Sequence, residues 1–354
     1  MGTVRTLLAL AVVFAHCYGF VFTGGMLAVQ IFYMISGYLM SLILLNEKSY
    51  RNLKSFYFNR ALRLFPIYWF IALSSLFLNI YFYSIGQDSF FYIYKEIDLW
   101  GSALMFLSNF TLIGQDWLMF TGIVDGEYGF ITNLFDSDLP IDNGLLVPQA
   151  WTLGLEISFY LIAPFILKSK KRWLALLFGS LCIKIFLIYL GIGTSDPYSY
   201  RFFPAELSLF LLGVFAHQIL LPIYERKHYL RNANLVTSIT TLTILFVISY
   251  SVIFGSSFYS ALLMILYVLF VLPFLAIFQQ KSKFDNWIGN LSYPIYICHM
   301  LVIVVFDNLG KKYGFYKDFE YFSGIFISTI ILSILLEIFI NRRVNKIRAK
   351  VRAS

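Results

Sequence analysis

Arg5 and His16 stand eleven residues apart in an otherwise apolar stretch, and they are the sharpest chemical signal in the chain. Eleven steps of about 100° return a helix to nearly the same azimuth, three turns and roughly 16 Å further along. A guanidinium at a cytoplasmic mouth can hold a phosphate, while a neutral imidazole near the midplane accepts a proton in the same cavity. Such spacing suits a donor with a charged head and a reactive group on a long thin arm. Arg5 also suits a cytoplasmic anchor, and His16 a helix-to-helix hydrogen bond.

Other polar residues recur at helical spacing. Thr152, Glu156 and Tyr160 form one polar stripe on an apolar run that begins at Trp151. Glu156 there can orient a sugar hydroxyl, assist the histidine, or pair with a base such as Arg201. Ser292, Tyr296 and His299 make a similar stripe around Pro294. Arg60 and Arg63, one turn apart before Pro66, project together as a phosphate or carboxylate clamp or as an orientation signal. Gly24-Gly25 and Ser36-Gly37-Tyr38 suit close helix packing. Cys17 beside His16 and Cys298 beside His299 are not dyads, because adjacent helical side chains diverge. The chain has no Gly-rich phosphate loop, metal-spaced His/Cys cluster or Gly-x-Ser-x-Gly elbow, so no metal is expected.

The elements that must position these groups follow from composition. Of 354 residues, 59% are hydrophobic and 13% charged, with mean hydropathy +0.75. Soluble domains carry roughly a quarter charged residues, so the chain reads as an all-α polytopic membrane protein. Spans of suitable length fall at 6–22, 26–45, 64–84, 149–167, 173–191, 204–222, 235–254, 258–278, 289–308 and 323–340, ten in all. The runs are continuously apolar, so spanning strands are not expected. Segment 99–114 is shorter and carries Ser102, Ser108, Asn109 and Thr111. Basic clusters lie at 48–63, 168–172, 226–231, 281–283 and from Arg342 to Arg352. All fall on the cytoplasmic side, with both termini, only if 99–114 stays in the interface or is re-entrant. The net charge of +8 is then an orientation signal, and no nucleic-acid partner is expected. Residues 1–354 form a single membrane domain with a long external loop at 85–148. That loop holds nine acids with Trp100, Trp117 and several Tyr. Such a surface suits carbohydrate, through ring faces and carboxylate acceptors, or serves as solubilising decoration.

The chain resembles acyltransferase family 3, the polytopic O-acyltransferases of bacterial glycans. The matching segments are Arg5 to His16, which fits the family's Arg-x10-His motif, Gly24-Gly25, Phe32 to Met40, Arg60 to Pro66, Trp151 to Tyr160, Arg201 to Glu206 and Leu291 to His299. The resemblance implies transfer of an acyl group, most often acetyl, from cytosolic acetyl-CoA or another acyl-CoA to a hydroxyl of a cell-surface or lipid-linked polysaccharide. It places the protein in the bacterial inner membrane, among membrane lipids, with a glycan or lipid-linked sugar as acceptor. His16 would be the essential base, or briefly the acyl carrier, with Arg5 its motif partner and Glu156 orienting the acceptor or polarising His16. Arg5, Arg60 and Arg63 would hold the donor. Trp151, Glu156, Tyr160, Arg201 and His299 would line the acceptor side. A transporter or flippase of a glycan also fits midplane charges and ten helices, but inverted repeats are not evident.

Overall fold

The computed structural model describes residues 1–17, 22–46, 52–87, 90–255, 257–314 and 319–353. Lys48, Arg51, Asp88 and Lys317, and residues 18–21 of the first expected span, lie outside the described residues. The helices run in chain order as α1 (Gly2–Cys17), α2 (Gly25–Leu44), α3 (Leu53–Ser84), α4 (Phe90–Glu96), α5 (Leu99–Thr111) and α6 (Gln115–Leu118). After a hairpin of β1 (Thr121–Val124) and β2 (Glu127–Phe130) come α7 (Trp151–Ile166), α8 (Lys170–Tyr189), α9 (Phe203–Phe215) and α10 (Leu221–Arg226). The remainder is α11 (Ala233–Phe254), α12 (Phe258–Lys281), α13 (Lys283–Asn290), α14 (Ser292–Tyr313), α15 (Phe319–Leu336) and α16 (Arg342–Ala353).

Among the described residues, eight helices are long and apolar enough to cross a membrane, fewer than the ten spans expected. The first and fourth of those spans correspond to α1 and α7, of 16 residues each. The described part of each is about 24 Å long against roughly 30 Å of hydrocarbon. Composition did not mark the start of α7, which the apolar run enters through a 3-10 turn at Pro148–Ala150.

Close backbone contact organises the bundle. A Cβ on Gly37 of α2 would stand 1.8 Å from the Phe210 carbonyl oxygen of α9, and one on Gly213 of α9 would stand 1.9 Å from the Met34 carbonyl oxygen. The two helices therefore touch through their main chains. Gly24 and Gly25 do different work. Gly24 caps α2 with φ +82°, a conformation that favours glycine, and Gly25 lets α2 approach Ala15 of α1, where a Cβ would be 3.2 Å from the alanine's own. At the opposite end of α1, the Thr3 amide and hydroxyl donate to Asp285 of α13 at 2.8 and 2.6 Å. The Thr6 hydroxyl donates to the Ile288 carbonyl at 2.7 Å.

The segment 85–148 is structured rather than irregular. Asp98 caps α5 by accepting from the Gly101 amide at 2.6 Å, and Asn109 accepts from the Leu146 amide at 2.8 Å. Helix α5 is fastened to α3 by Tyr68, whose hydroxyl donates to the Asn109 carbonyl at 2.6 Å, and by the Trp69 indole, which donates to the Phe110 carbonyl at 3.1 Å. Its 13 residues, about 20 Å, are too short to cross. It buries Gly101, Met105 and Ser108 and exposes Trp100, Phe106 and Phe110, as a helix lying against lipid would. The hairpin turns at Asp125-Gly126, both with positive φ, the type I′ geometry that short hairpins favour.

Asp116, in this same segment, is buried against the first turn of α7, where a Cβ on Gly154 would meet its Oδ1 at 2.6 Å. Burial pushes its carboxyl up from near 3.8 to about 7, opposed by the backbone amides of Asp116 and Trp117. A carboxyl with a raised folded-state pKa contributes stability that is full below about pH 4 and lost as pH rises through about 7. Thermal unfolding in detergent should therefore show the parent losing stability relative to Asp116→Asn between pH 4 and 7. The difference should be constant above about pH 8. Parallel curves for the two proteins would refute the burial argument.

Candidate active site

Most ionisable groups within the spans have local partners. Lys184 pairs with the fully buried Glu206 at 2.6 Å, His217 Nδ1 meets Ser41 Oγ at 2.9 Å, the Tyr321 hydroxyl donates to Asp307, and Asn341 donates to Glu337. The first three of these contacts staple helices, and the last lies within one. What remains is a set assembled from α1, α2, α3, α7 and α14.

Arg5 of α1, Arg63 of α3 and Glu156 of α7 line one cavity with Ser36 of α2 and Tyr296 of α14. It encloses about 630 Å³ of empty space, counting its open mouth. Glu156 accepts from Ser36 Oγ at 2.7 Å and from the Tyr160 hydroxyl one turn away. It does not pair with Arg201, and its hydrogen-bond partners do not include an imidazole. Arg5 and Arg63 lie near enough that their charges act on each other and on that of Glu156. Two cations around one carboxylate leave a net positive pocket, which suits an anionic head group. Arg60 is buried behind them, donating to Asn59 Oδ1 at 2.9 Å with its guanidinium 6.0 Å from the Tyr160 ring centre. The sequence pairing of Arg60 with Arg63 thus resolves into Arg63 on the cavity and Arg60 supporting its wall.

Further along α1, on the face that carries Arg5, lies His16, in the last described turn. Its ring stacks on His299 of α14, centroids 5.2 Å apart and planes 13° from parallel. His16 is exposed, whereas His299 is fully buried, with Nδ1 2.8 Å from the Tyr296 carbonyl oxygen and Nε2 without a hydrogen-bond partner. Tyr296 connects the cavity to the imidazoles: its hydroxyl donates to the Gln149 carbonyl at 2.9 Å and receives from Thr152 at 2.9 Å. The Ser292–Tyr296–His299 stripe therefore runs from the arginine end to the histidines.

Beyond His16 lies a third group. Arg201 forms a bidentate pair with Asp196 at 2.5 and 2.8 Å, the favourable fork geometry for guanidinium and carboxylate. Its guanidinium also sits 4.1 Å from the Trp151 ring centre, and its charge reaches His16. Trp151 and Arg201 thus form one rigid aromatic–cation unit beside the imidazole. Asp196, Gln149 and Tyr293, which also lines the Arg5–Arg63–Glu156 cavity, are not marked by the sequence alone. The Asp196-to-Arg201 spacing in a short interhelical connection was the available signal for the first, and Gln149 directly precedes the Trp151 run.

The comparisons with known proteins bear on this assembly. A family model described as an acyltransferase domain matches residues 2–338, which takes in α1, α2, α3, α7 and α14. The chain belongs to acyltransferase family 3. An uncharacterized protein of Aquifex aeolicus is 30% identical over 207 residues, 57% of this chain and 89% of its own length. The peptidoglycan O-acetyltransferase OatA of Listeria monocytogenes is 26% identical over 331 residues, 85% of this chain and 48% of its own. A putative O-acetyltransferase of Staphylococcus aureus is 24% identical over 330 residues, 84% of this chain and 49% of its own. The acyltransferase family 3 chain described here thus spans about half the length of those two O-acetyltransferases. No solved structure matches it.

Proposed function

We propose that the protein is a bacterial inner-membrane O-acyltransferase that moves an acyl group, acetyl in the simplest case, from cytosolic acyl-CoA to a glycan hydroxyl. The observation that carries this reading is that the Arg5–Arg63–Glu156 cavity and the stacked His16–His299 pair share one face of α1 and one stripe of α14. Donor phosphates rest at Arg63 and Arg5, with Arg60 behind the wall. The pantetheine arm follows α1, and the thioester lies at His16. His16 removes the acceptor hydroxyl proton as the oxygen attacks the thioester carbonyl. The carbon–sulfur bond then breaks, and the departing thiolate takes the proton back, leaving free CoA. Buried His299 holds the His16 ring by stacking. Glu156, with Tyr160, fixes the polar wall of the donor tract, while Trp151 and Arg201 face the acceptor.

Arg63→Ala should raise the KM for acetyl-CoA about tenfold, with a smaller change in kcat, because its contact with phosphate is made equally in ground and transition states. Steady-state transfer kinetics on purified protein in lipid discs would read this. An unchanged KM would remove Arg63 from the donor site. The functional reading itself is tested by labelled acetyl-CoA and membrane vesicles containing glycan. Label recovered on sugar supports the enzyme, and glycan crossing the membrane without label supports a transporter.

A further inference from the structure

Among the described residues, six hydroxyl-bearing side chains line the cavity of Arg5, Arg63 and Glu156. Five of them commit their proton to the protein. Ser36 donates to Glu156 at 2.7 Å, Thr152 to the Tyr296 hydroxyl oxygen at 2.9 Å, and Tyr296 in turn to the Gln149 carbonyl at 2.9 Å. Ser292 donates to the Gly289 carbonyl at 2.8 Å and Tyr293 to the Leu64 carbonyl at 2.6 Å. The sixth is Tyr33 of α2. It is 3% exposed, and its hydroxyl is buried with no hydrogen-bond partner among the described residues. A buried hydroxyl left so costs stability that a phenylalanine would not, so folding does not account for it.

Its position does. Tyr33 lies one helical turn from Ser36, toward the end of α2 that adjoins Ala15 beside His16. It therefore sits between the arginine end of the cavity and the imidazoles, near enough to Glu206, Tyr296 and Arg201 for their charges to act on it. Glu206 is paired with Lys184 and Arg201 with Asp196, so each ion pair is neutral as a whole and the phenol is the uncommitted donor. Stacking on Phe210 of α9, centroids 4.8 Å apart and planes 23° from parallel, fixes the ring. We infer that Tyr33 is a catalytic residue whose hydroxyl donates a hydrogen bond to the carbonyl oxygen of the acyl donor as negative charge develops there. The inference rests on the acyltransferase reading and adds the group that stabilises its tetrahedral species. As the acceptor oxygen bonds to the carbonyl carbon and His16 takes its proton, the carbonyl π pair moves onto oxygen. Tyr33 holds that oxygen by a hydrogen bond and keeps its own proton. The pair returns as the carbon–sulfur bond breaks, and the thiolate leaves with the proton from His16. A thioester oxygen accepts weakly and an oxyanion strongly, so the bond acts on the transition state more than on the bound donor.

Tyr33→Phe removes the hydroxyl and nothing else. With labelled acetyl-CoA and vesicles of fixed glycan content, the apparent kcat should fall about 10²-fold, the scale of losing one oxyanion donor. The KM for acetyl-CoA should change less than about twofold. The unfolding temperature in detergent should not fall, and is expected to rise by about 2 °C, because an unsatisfied buried group is gone. Tyr68→Phe is the contrasting variant: Tyr68 is also buried, but its hydroxyl donates to the Asn109 carbonyl at 2.6 Å. Losing that bond should lower the unfolding temperature and keep kcat within about twofold. A hydroxyl with only a structural role at Tyr33 would behave as that of Tyr68 does. An unchanged kcat in Tyr33→Phe overturns the proposal, and so does a loss of kcat that accompanies a lower unfolding temperature or a raised KM. The two readings fail differently. A parent that labels no glycan removes the acyltransferase reading and this role together, whereas an active parent beside an equally active Tyr33→Phe variant removes the role of the phenol alone.

Discussion

Replacing His16 with Ala should lower acetyl transfer by at least about 10³-fold while leaving the protein folded in the membrane. A positioned general base contributes roughly 10²–10⁴-fold, and no other exposed imidazole is placed to substitute among the described residues. His299, the stacking partner, is fully buried. His217 is committed to Ser41 beside the Tyr38 ring. His16 is exposed and meets the bundle through its stacking on His299, so expression and thermal stability should change little. The measurement is the single-turnover rate with labelled acetyl-CoA, compared with the acetyl-CoA-induced shift in unfolding temperature. Loss of rate with the shift retained assigns His16 to the chemical step. Retained transfer would leave the imidazole a packing role only. His299→Ala should lose less, about tenfold, because it acts by holding the His16 ring.

The second large effect concerns the scaffold. Gly213→Val should leave almost no folded protein, because the added carbons would overlap the Met34 carbonyl 1.9 Å from the new Cβ. Neither backbone can yield without parting α2 from α9, and α2 carries Ser36 and Phe32 into the cavity lined by Arg5, Arg63 and Glu156. Overpacking that side chains absorb costs about 1–3 kcal/mol. A main-chain clash of this kind belongs with the exceptional losses above about 4 kcal/mol. Gly179→Ala is the matched control. It lies inside α8 with nothing within 4 Å of the new Cβ, so it should hold or raise stability, by up to about 1 kcal/mol from helix propensity. Yield and unfolding temperature in detergent distinguish the two variants. A stable Gly213→Val protein would mean that α2 and α9 do not touch through their backbones.

What was legible in the sequence followed from periodicity. The eleven-residue interval put Arg5 and His16 on one face of α1, and the intervals of three or four put Thr152 with Glu156 and Tyr296 with His299. Those relations are fixed by helix geometry alone. Relations between helices were not legible, because spacing within one helix says nothing about its neighbour. The stacking of His16 on His299, the bond from Ser36 to Glu156 and the pairing of Arg201 with Asp196 instead of Glu156 each needed the packed bundle. Helix ends were the other blind spot. The apolar run that enters α7 gives no sign that the helix itself begins only at Trp151, after a 3-10 turn at Pro148–Ala150. The glycines show both sides: Gly24-Gly25 and Gly37 were readable as sites of close approach, but only the structure separates the φ requirement at Gly24 from the backbone contact at Gly37.

The most direct measurement is the sidedness of donor use. Sealed vesicles of known orientation, carrying glycan on both faces, would be given membrane-impermeant labelled acetyl-CoA on one side at a time. If the arginine-lined mouth is the donor entrance, label should reach sugar only when acetyl-CoA is on the face bearing Arg60, Arg63 and α16. Labelling from the face bearing Trp151 and Arg201, with the other face silent, would contradict the account.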